Sequence, residues 1–167
     1  LSDPSWENHR ALFEYAGFEV QTYPYYHPQT RAVDFAAMRA GLQALPAGSI
    51  VVLHACCHNP TGADLDAGQW REVVDIVGAR GLVAFIDIAY QGFADGIDDD
   101  ALAVQLFAAS GQSFLVASSF SKSFSLYGER VGALSVVTAS RDESARVLSQ
   151  IKRIVRTNYS NPPTHGG

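Results

Sequence analysis

Ser118-Ser-Phe-Ser-Lys122-Ser-Phe-Ser-Leu-Tyr-Gly-Glu-Arg130-Val-Gly132 is a polar stretch set between two short apolar runs. Residues 114–117 before it and 133–137 after it suit buried strands. The polar segment is therefore expected to be a crossover between sheet strands that surfaces at one edge of the sheet. Working outward, residues 83–88 form another apolar run, with Asp87 set into its C-terminal end and Tyr90 three positions on. A carboxylate at the end of a parallel strand points into the crevice where open α/β sheets bind ligands.

Lys122, flanked by Ser121 and Ser123, invites a chemical reading. A lysine becomes a nucleophile when burial or a neighbouring cation lowers its pKa, and its commonest task of that kind is a Schiff base with a carbonyl cofactor such as pyridoxal phosphate. Such a cofactor brings a dianionic phosphate, which the hydroxyls of Ser119 and Ser121 and the bidentate guanidinium of Arg130 could hold. Asp87 could then keep a pyridine nitrogen protonated, because an ionised carboxylate beside a cation favours the charged form of both. Tyr90 could reach the phenolic oxygen of the same ring. On this stretch alone a second reading stays open, in which Lys122 is a surface lysine on a serine-rich loop and Arg130 pairs with Glu129 or Asp142.

Three pieces carry a resemblance: His54-Ala-Cys-Cys-His-Asn-Pro-Thr-Gly62, Phe85-Ile-Asp-Ile-Ala-Tyr-Gln-Gly-Phe93 and Ser119-Phe-Ser-Lys-Ser-Phe-Ser-Leu-Tyr-Gly-Glu-Arg130. In residues, order and spacing they look like the aspartate and aromatic-amino-acid aminotransferases, pyridoxal phosphate enzymes of fold type I. The likeness runs from Asp3-Pro-Ser-Trp-Glu-Asn-His9 to Tyr159-Ser-Asn-Pro-Pro163. It implies that residues 1–167 are a single domain, part of the cofactor-binding large domain, with the N-terminal segment and the small domain absent. By the same resemblance Lys122 holds the cofactor as an internal aldimine and then carries a proton from the substrate α-carbon to C4′. Trp6 stacks on the ring, as an indole can. His9 stands behind Asp87 and orients it, and His54 and His58 are expected to support the site from behind in the same way. Asn59 and Tyr90 donate to the phenolic oxygen, and Asn59 also contacts the substrate carboxylate, since an amide offers two donors and an acceptor.

The implied reaction is transfer of an amino group between an aromatic or dicarboxylic amino acid and a 2-oxo acid. The implied assembly is a homodimer with shared active sites, in which Arg156 reaches the neighbouring subunit and binds a side-chain carboxylate of the substrate. The alternative is a non-catalytic structural fragment, or a degenerate dimerising subunit, that binds no cofactor.

Composition agrees with a buried α/β core. The chain has 167 residues, of which 47% are hydrophobic and 17% charged, enough for one domain with a sizeable interior. No stretch approaches the eighteen or more apolar residues of a membrane span, and a formal charge of -5 gives no general attraction to nucleic acid or anionic lipid. Adjacent Cys56 and Cys57 at the end of an apolar strand argue against a disulfide scaffold and for a reducing, cytoplasmic location. No zinc site is expected from His54, Cys56, Cys57 and His58, because neighbouring strand residues diverge. A calcium loop over residues 95–100 lacks the alternating ligand spacing. A dinucleotide fold lacks its glycine-rich phosphate turn.

In chain order, a helix over residues 6–16, capped by Ser5 or Asp3, should lead into an alternating strand at 18–23. Residues 34–45 read as an amphipathic helix with Phe35, Met38 and Leu42 on one stripe, and residues 50–53 as a strand leaving through a turn at 58–62. Residues 69–79 read as a helix with Trp70, Val73, Val74 and Val77 inward. Asp98, Asp99 and Asp100 are expected to open a helix over 101–109 by favouring the positive end of its dipole. Residues 141–157 form a last helix, apolar at Val147, Ile151 and Ile154 and basic at Arg146, Lys152, Arg153 and Arg156. The alternation of strand and helix predicts a three-layer α/β/α domain with a mainly parallel sheet.

Overall fold

The computed structural model describes residues 1–158. The segment from Tyr159 to Pro163 that extends the resemblance lies outside the described residues. The elements are β1 (Ser2–Asp3), α1 (Glu7–Tyr15), β2 (Tyr23–Pro24), β3 (Tyr26–His27), β4 (Ala32–Val33), α2 (Phe35–Ala44), β5 (Ile50–His54), α3 (Ala67–Arg80), β6 (Val83–Ile88), α4 (Leu102–Ser110), β7 (Phe114–Ser119), β8 (Gly132–Val137) and α5 (Arg141–Asn158). The central sheet runs β5-β6-β7-β8, with the first three strands parallel and β8 antiparallel. The sheet is thus mainly parallel, with helices on both faces.

Side-chain alternation along β6 sets those faces. Ala84, Ile86 and Ile88 are buried in one core with Trp70, Val73 and Val77 of α3 and Phe107 of α4, where the Phe107 and Phe114 rings lie 5.5 Å apart. Phe85 and Asp87 point the other way, toward α1, whose Phe13 meets the Phe85 ring edge-on at 5.7 Å. That face carries the chemistry. Asp87 pairs in register with His54 on β5 and Ala117 on β7, so the ends of three strands meet there.

Local signals explain most boundaries. Asp34 caps α2 by accepting from the Ala37 N–H, and Met38 and Leu42 are fully buried as the stripe required. A capping box between Asp66 and Gln69 starts α3 earlier than the apolar stripe suggested, and Gly81, in the left-handed region that favours glycine, ends it.

The segment after β7 joins it to another strand of the same sheet, as expected, and that strand, β8, returns antiparallel beside β7 at the sheet edge. Gly132 is needed at that return, since a Cβ there would lie 2.6 Å from the Ser118 carbonyl oxygen. Residues 18–22 form no strand. Only Tyr23 and Pro24 pair, with Ser2 and Asp3, so the ladder is no longer than the two residues of β1. Neither Ser5 nor Asp3 caps α1, whose first position follows Trp6 with no side-chain cap; the Ser5 hydroxyl is occupied by two histidines. The acidic run Asp98 to Asp100 stands just before α4, as expected, but no side chain caps that helix, and the Asp100 carboxylate turns back into the preceding loop.

Candidate active site

A cavity of about 150 Å³ opens at the C-terminal ends of β5, β6 and β7. Trp6, His54, Cys56, Asn59, Asp87, Ala89, Tyr90, Ser119, Ser121, Lys122, Tyr127 and Arg130 line it. These residues come from segments more than a hundred positions apart in the chain, and they include every residue that the sequence reading assigned to the cofactor. Arg156 is on α5 and does not line this cavity. The larger cavity beside residues 18–23 contains none of the candidate residues.

Asp87 is anchored from behind. His9 Nε2 lies 2.9 Å from Asp87 Oδ2, and His9 is 4% exposed. The other ring nitrogen of His9 is 3.1 Å from Ser5 Oγ, which in turn lies 3.4 Å from His54 Nε2. A chain of hydrogen-bonding groups therefore runs Asp87–His9–Ser5–His54. The Trp6 ring meets His9 edge-on at 5.1 Å, which sets the indole at the cavity wall, partly open to solvent.

His54 continues the chain into the next loop, where its Nδ1 accepts from the Asn59 N–H at 3.3 Å. The His58 ring sits between Tyr25, stacked at 4.0 Å, and His54 at 4.4 Å, and its nitrogens bond Ser2 Oγ at 3.0 Å and Thr61 Oγ1 at 2.8 Å. Burial, and then the neighbouring His58 and His9, push His54 down to about 3. Burial pushes His58 down to about 4. Both rings are neutral near pH 7, which suits them to accept and donate at fixed positions rather than to carry charge.

On the opposite wall, Lys122 Nζ lies 4.9 Å from the Tyr90 ring centroid and 5.3 Å from that of Tyr127. Ser119 Oγ accepts from the Ser121 N–H at 3.3 Å, and Ser121 is buried. Arg130 stands with φ at 55°, and its Nη1 donates to the Tyr127 carbonyl at 2.8 Å. The loop thus gathers an amine, two hydroxyls and a guanidinium beside a carboxylate. That donor set suits a ligand carrying a carbonyl, a phosphate and a basic ring nitrogen.

Three side chains have surroundings that the sequence reading did not assign to them. Tyr127 lines the cavity. Asp64 accepts from the Cys57 N–H at 2.6 Å and the His58 N–H at 2.8 Å, fixing the backbone just before Asn59 where Cys57 holds φ at 48°. Asp100 accepts from three backbone N–H groups after Tyr90. The signal for Asp64 was its place after a Pro-Thr-Gly turn, where an aspartate characteristically bonds nearby backbone. Cys56 and Cys57 are both free thiols, and burial pushes both upward. Among the described residues no three His, Cys, Asp or Glu side chains are grouped to hold a metal ion, and no helix is long and apolar enough to cross a membrane.

Known proteins resemble the chain throughout. Residues 1–167 match the family described as aminotransferase class I and II. The chain is 70% identical over 166 residues to an aspartate aminotransferase of Pseudomonas aeruginosa and 56% identical over 166 residues to the aromatic-amino-acid aminotransferase of Escherichia coli. Each match covers 99% of this chain but 42% of the relative, so the chain spans less than half the length of these curated relatives. Among solved structures, an aromatic-amino-acid aminotransferase from Burkholderia pseudomallei covalently bound to pyridoxal phosphate superposes with a TM-score of 0.96 at 67% identity, over 99% of this chain and 41% of that one.

Proposed function

The chain belongs to the class I and II aminotransferase family, and on that premise we propose that residues 1–167 form part of the cofactor-binding large domain of a longer transaminase. That protein transfers an amino group between an aromatic or dicarboxylic amino acid and a 2-oxo acid, with pyridoxal phosphate as cofactor. The observation that carries the reading is the single cavity that gathers Trp6, Asn59, Asp87, Tyr90, Ser119, Ser121, Lys122 and Arg130. The cofactor, when bound, supplies a conjugated ring that accepts the electron pair left when a substrate Cα–H bond breaks.

The residues of this chain take the following parts. The Lys122 amine would hold the cofactor through its carbonyl carbon, with loss of water, and, when a substrate amine takes that place, would be free to move a proton from the substrate α-carbon. Asp87, braced by His9, holds a proton on the ring nitrogen and so keeps the ring electron-poor. Tyr90 and Asn59 donate toward the phenolic oxygen, and Asn59 also faces the substrate carboxylate. Ser119, Ser121 and Arg130 hold the phosphate, where a planar guanidinium grips two oxygens at once. Trp6 covers one face of the ring. We assign Arg156 to the partner subunit's site in a homodimer, where it binds the side-chain carboxylate of a dicarboxylic substrate.

Borohydride reduction of the full-length protein with its cofactor, followed by peptide mapping, tests the central assignment. The expected result is a reduced pyridoxyl adduct on Lys122. An adduct found only on Lys152 would overturn it.

A further inference from the structure

We propose that Asp100 is a positioning residue that fixes Tyr90 by clamping the loop between β6 and α4. Asp100 is 4% exposed, yet it stands in a run of three aspartates that composition alone would place in solvent. Its Oδ2 accepts from the Gly92 N–H at 2.7 Å and the Ala94 N–H at 3.1 Å, and its Oδ1 accepts from the Asp95 N–H at 2.9 Å. Its own N–H donates to the Gly96 carbonyl at 2.9 Å. Gly92 and Gly96 hold φ at 92° and 140°, conformations that let the backbone wrap the carboxylate with its N–H groups inward. Converging backbone donors of this kind bind an anion. Here the anion belongs to the chain itself.

The clamp is tied at both ends. Asp100 leads directly into α4, whose Ala103 and Phe107 are fully buried, so the carboxylate is held by the core. At the other end, the Phe93 N–H donates to the Tyr90 carbonyl at 3.0 Å, and the Phe93 ring meets the Tyr90 ring edge-on at 6.3 Å. The clamped N–H of Gly92 therefore lies inside the same turn that begins at Tyr90. An aspartate serving only as a helix-opening charge would meet the first N–H groups of α4; this one is bonded by the loop's N–H groups instead, and no side chain caps α4. Burial raises the Asp100 pKa, but the donors at Asp95, Ala94, Gly92 and Gly96 outweigh it and hold the carboxyl below its ordinary value. The same donors that set the clamp favour the charged carboxylate.

The inference rests on the reading of Tyr90 as a donor to the cofactor's phenolic oxygen, and the test separates the two. Asp87, His54, Lys122, Tyr127 and Arg130 share the cavity with Tyr90 and set its field. In the full-length protein loaded with pyridoxal phosphate, the readout is the pH midpoint of the change in the cofactor's visible absorbance. A phenol that donates to the ring oxygen stabilises its negative charge and weakens its hold on the neighbouring proton. Tyr90→Phe should therefore raise the midpoint by about 1 to 2 pH units, the size of one charge-assisted hydrogen bond. Asp100→Ala should raise it by at least about half a unit, part of that same bond, and should have no effect in the Tyr90→Phe background. Asp100→Asn, which keeps the shape but turns an NH₂ toward the N–H donors, carries the same test if the alanine variant does not fold. Equal shifts in both backgrounds, or none in either, would overturn the proposal. A second readout needs no cofactor: amide exchange over residues 89–96 should quicken at least about tenfold in Asp100→Asn. Unchanged exchange refutes the clamp, whereas an unmoved midpoint in Tyr90→Phe refutes the donor role of Tyr90.

Discussion

Acid should unfold this domain through two neutral histidines. His54 and His58 are held down to about 3 and about 4 in the fold, chiefly by burial, against an ordinary value near 6.5 in the unfolded chain. Their folded pKa values are depressed, so between about pH 6.5 and 4 the unfolded chain binds more protons than the folded one, and stability falls as pH falls through that window. At pH 5 each histidine favours the unfolded chain by about 2 kcal/mol relative to pH 7. The pair together contributes about 4 kcal/mol, a large share of the roughly 5–15 kcal/mol that holds a domain folded. The assay is urea unfolding of the full-length apoprotein at pH 7 and pH 5, for the wild type and for His54→Asn/His58→Gln. The double variant loses hydrogen bonds at both pH values, so only the difference between them matters. That difference should be about 4 kcal/mol smaller in the variant. Parallel losses in the two proteins, within about 1 kcal/mol, would refute the assignment of neutral, buried imidazoles.

Two further expectations concern the proposed chemistry. Asp87→Ala in the full-length protein should leave the Lys122 adduct trappable by borohydride while lowering transamination by several orders of magnitude, because the ring nitrogen loses the anion that keeps it protonated; near-normal turnover would contradict that role. Arg156→Ala should lower kcat/KM for aspartate and glutamate far more than for tyrosine and phenylalanine, and mixed dimers of Arg156→Ala with Lys122→Ala subunits should recover a dicarboxylate site. Verified hybrids that show no recovery, beside active wild-type/mutant hybrids, would refute an arginine acting across the interface.

The candidate site was legible wherever a reactive residue type coincided with the end of an apolar run. Asp87 closes such a run and Lys122 follows another, and β6 and β7 form where those runs lie. Trp6 and Asn59 were not legible from pattern alone. Their placement depended on the resemblance, because a tryptophan beside a helix start and an asparagine in a proline turn occur in many folds without meeting a ligand. The missing strand at residues 18–22 has a different cause. Alternation specifies which face a strand would present, but a strand needs a neighbour to bond with, and the neighbour here, β1, pairs over two residues.

Asp64 and Asp100 show why supports are harder to read than reactive groups. A catalytic side chain is recognised by its own chemistry, whereas these carboxylates act on backbone N–H groups whose directions depend on the path of the whole loop. Three consecutive aspartates before a helix invite the dipole explanation, and for Asp98 and Asp99 the sequence suggests no other. Asp100 differs because Gly92 and Gly96 precede it by eight and four positions, and glycines at positive φ let a loop turn its donors inward. In Asp64 the same work is done after a turn rather than before a helix, with Cys57 taking the left-handed position. Each acid fixes the loop that holds one cavity residue, Asn59 for Asp64 and Tyr90 for Asp100. Both of those residues are assigned to the same phenolic oxygen, so the precision of that hydrogen-bonding pair depends on two carboxylates that never touch it.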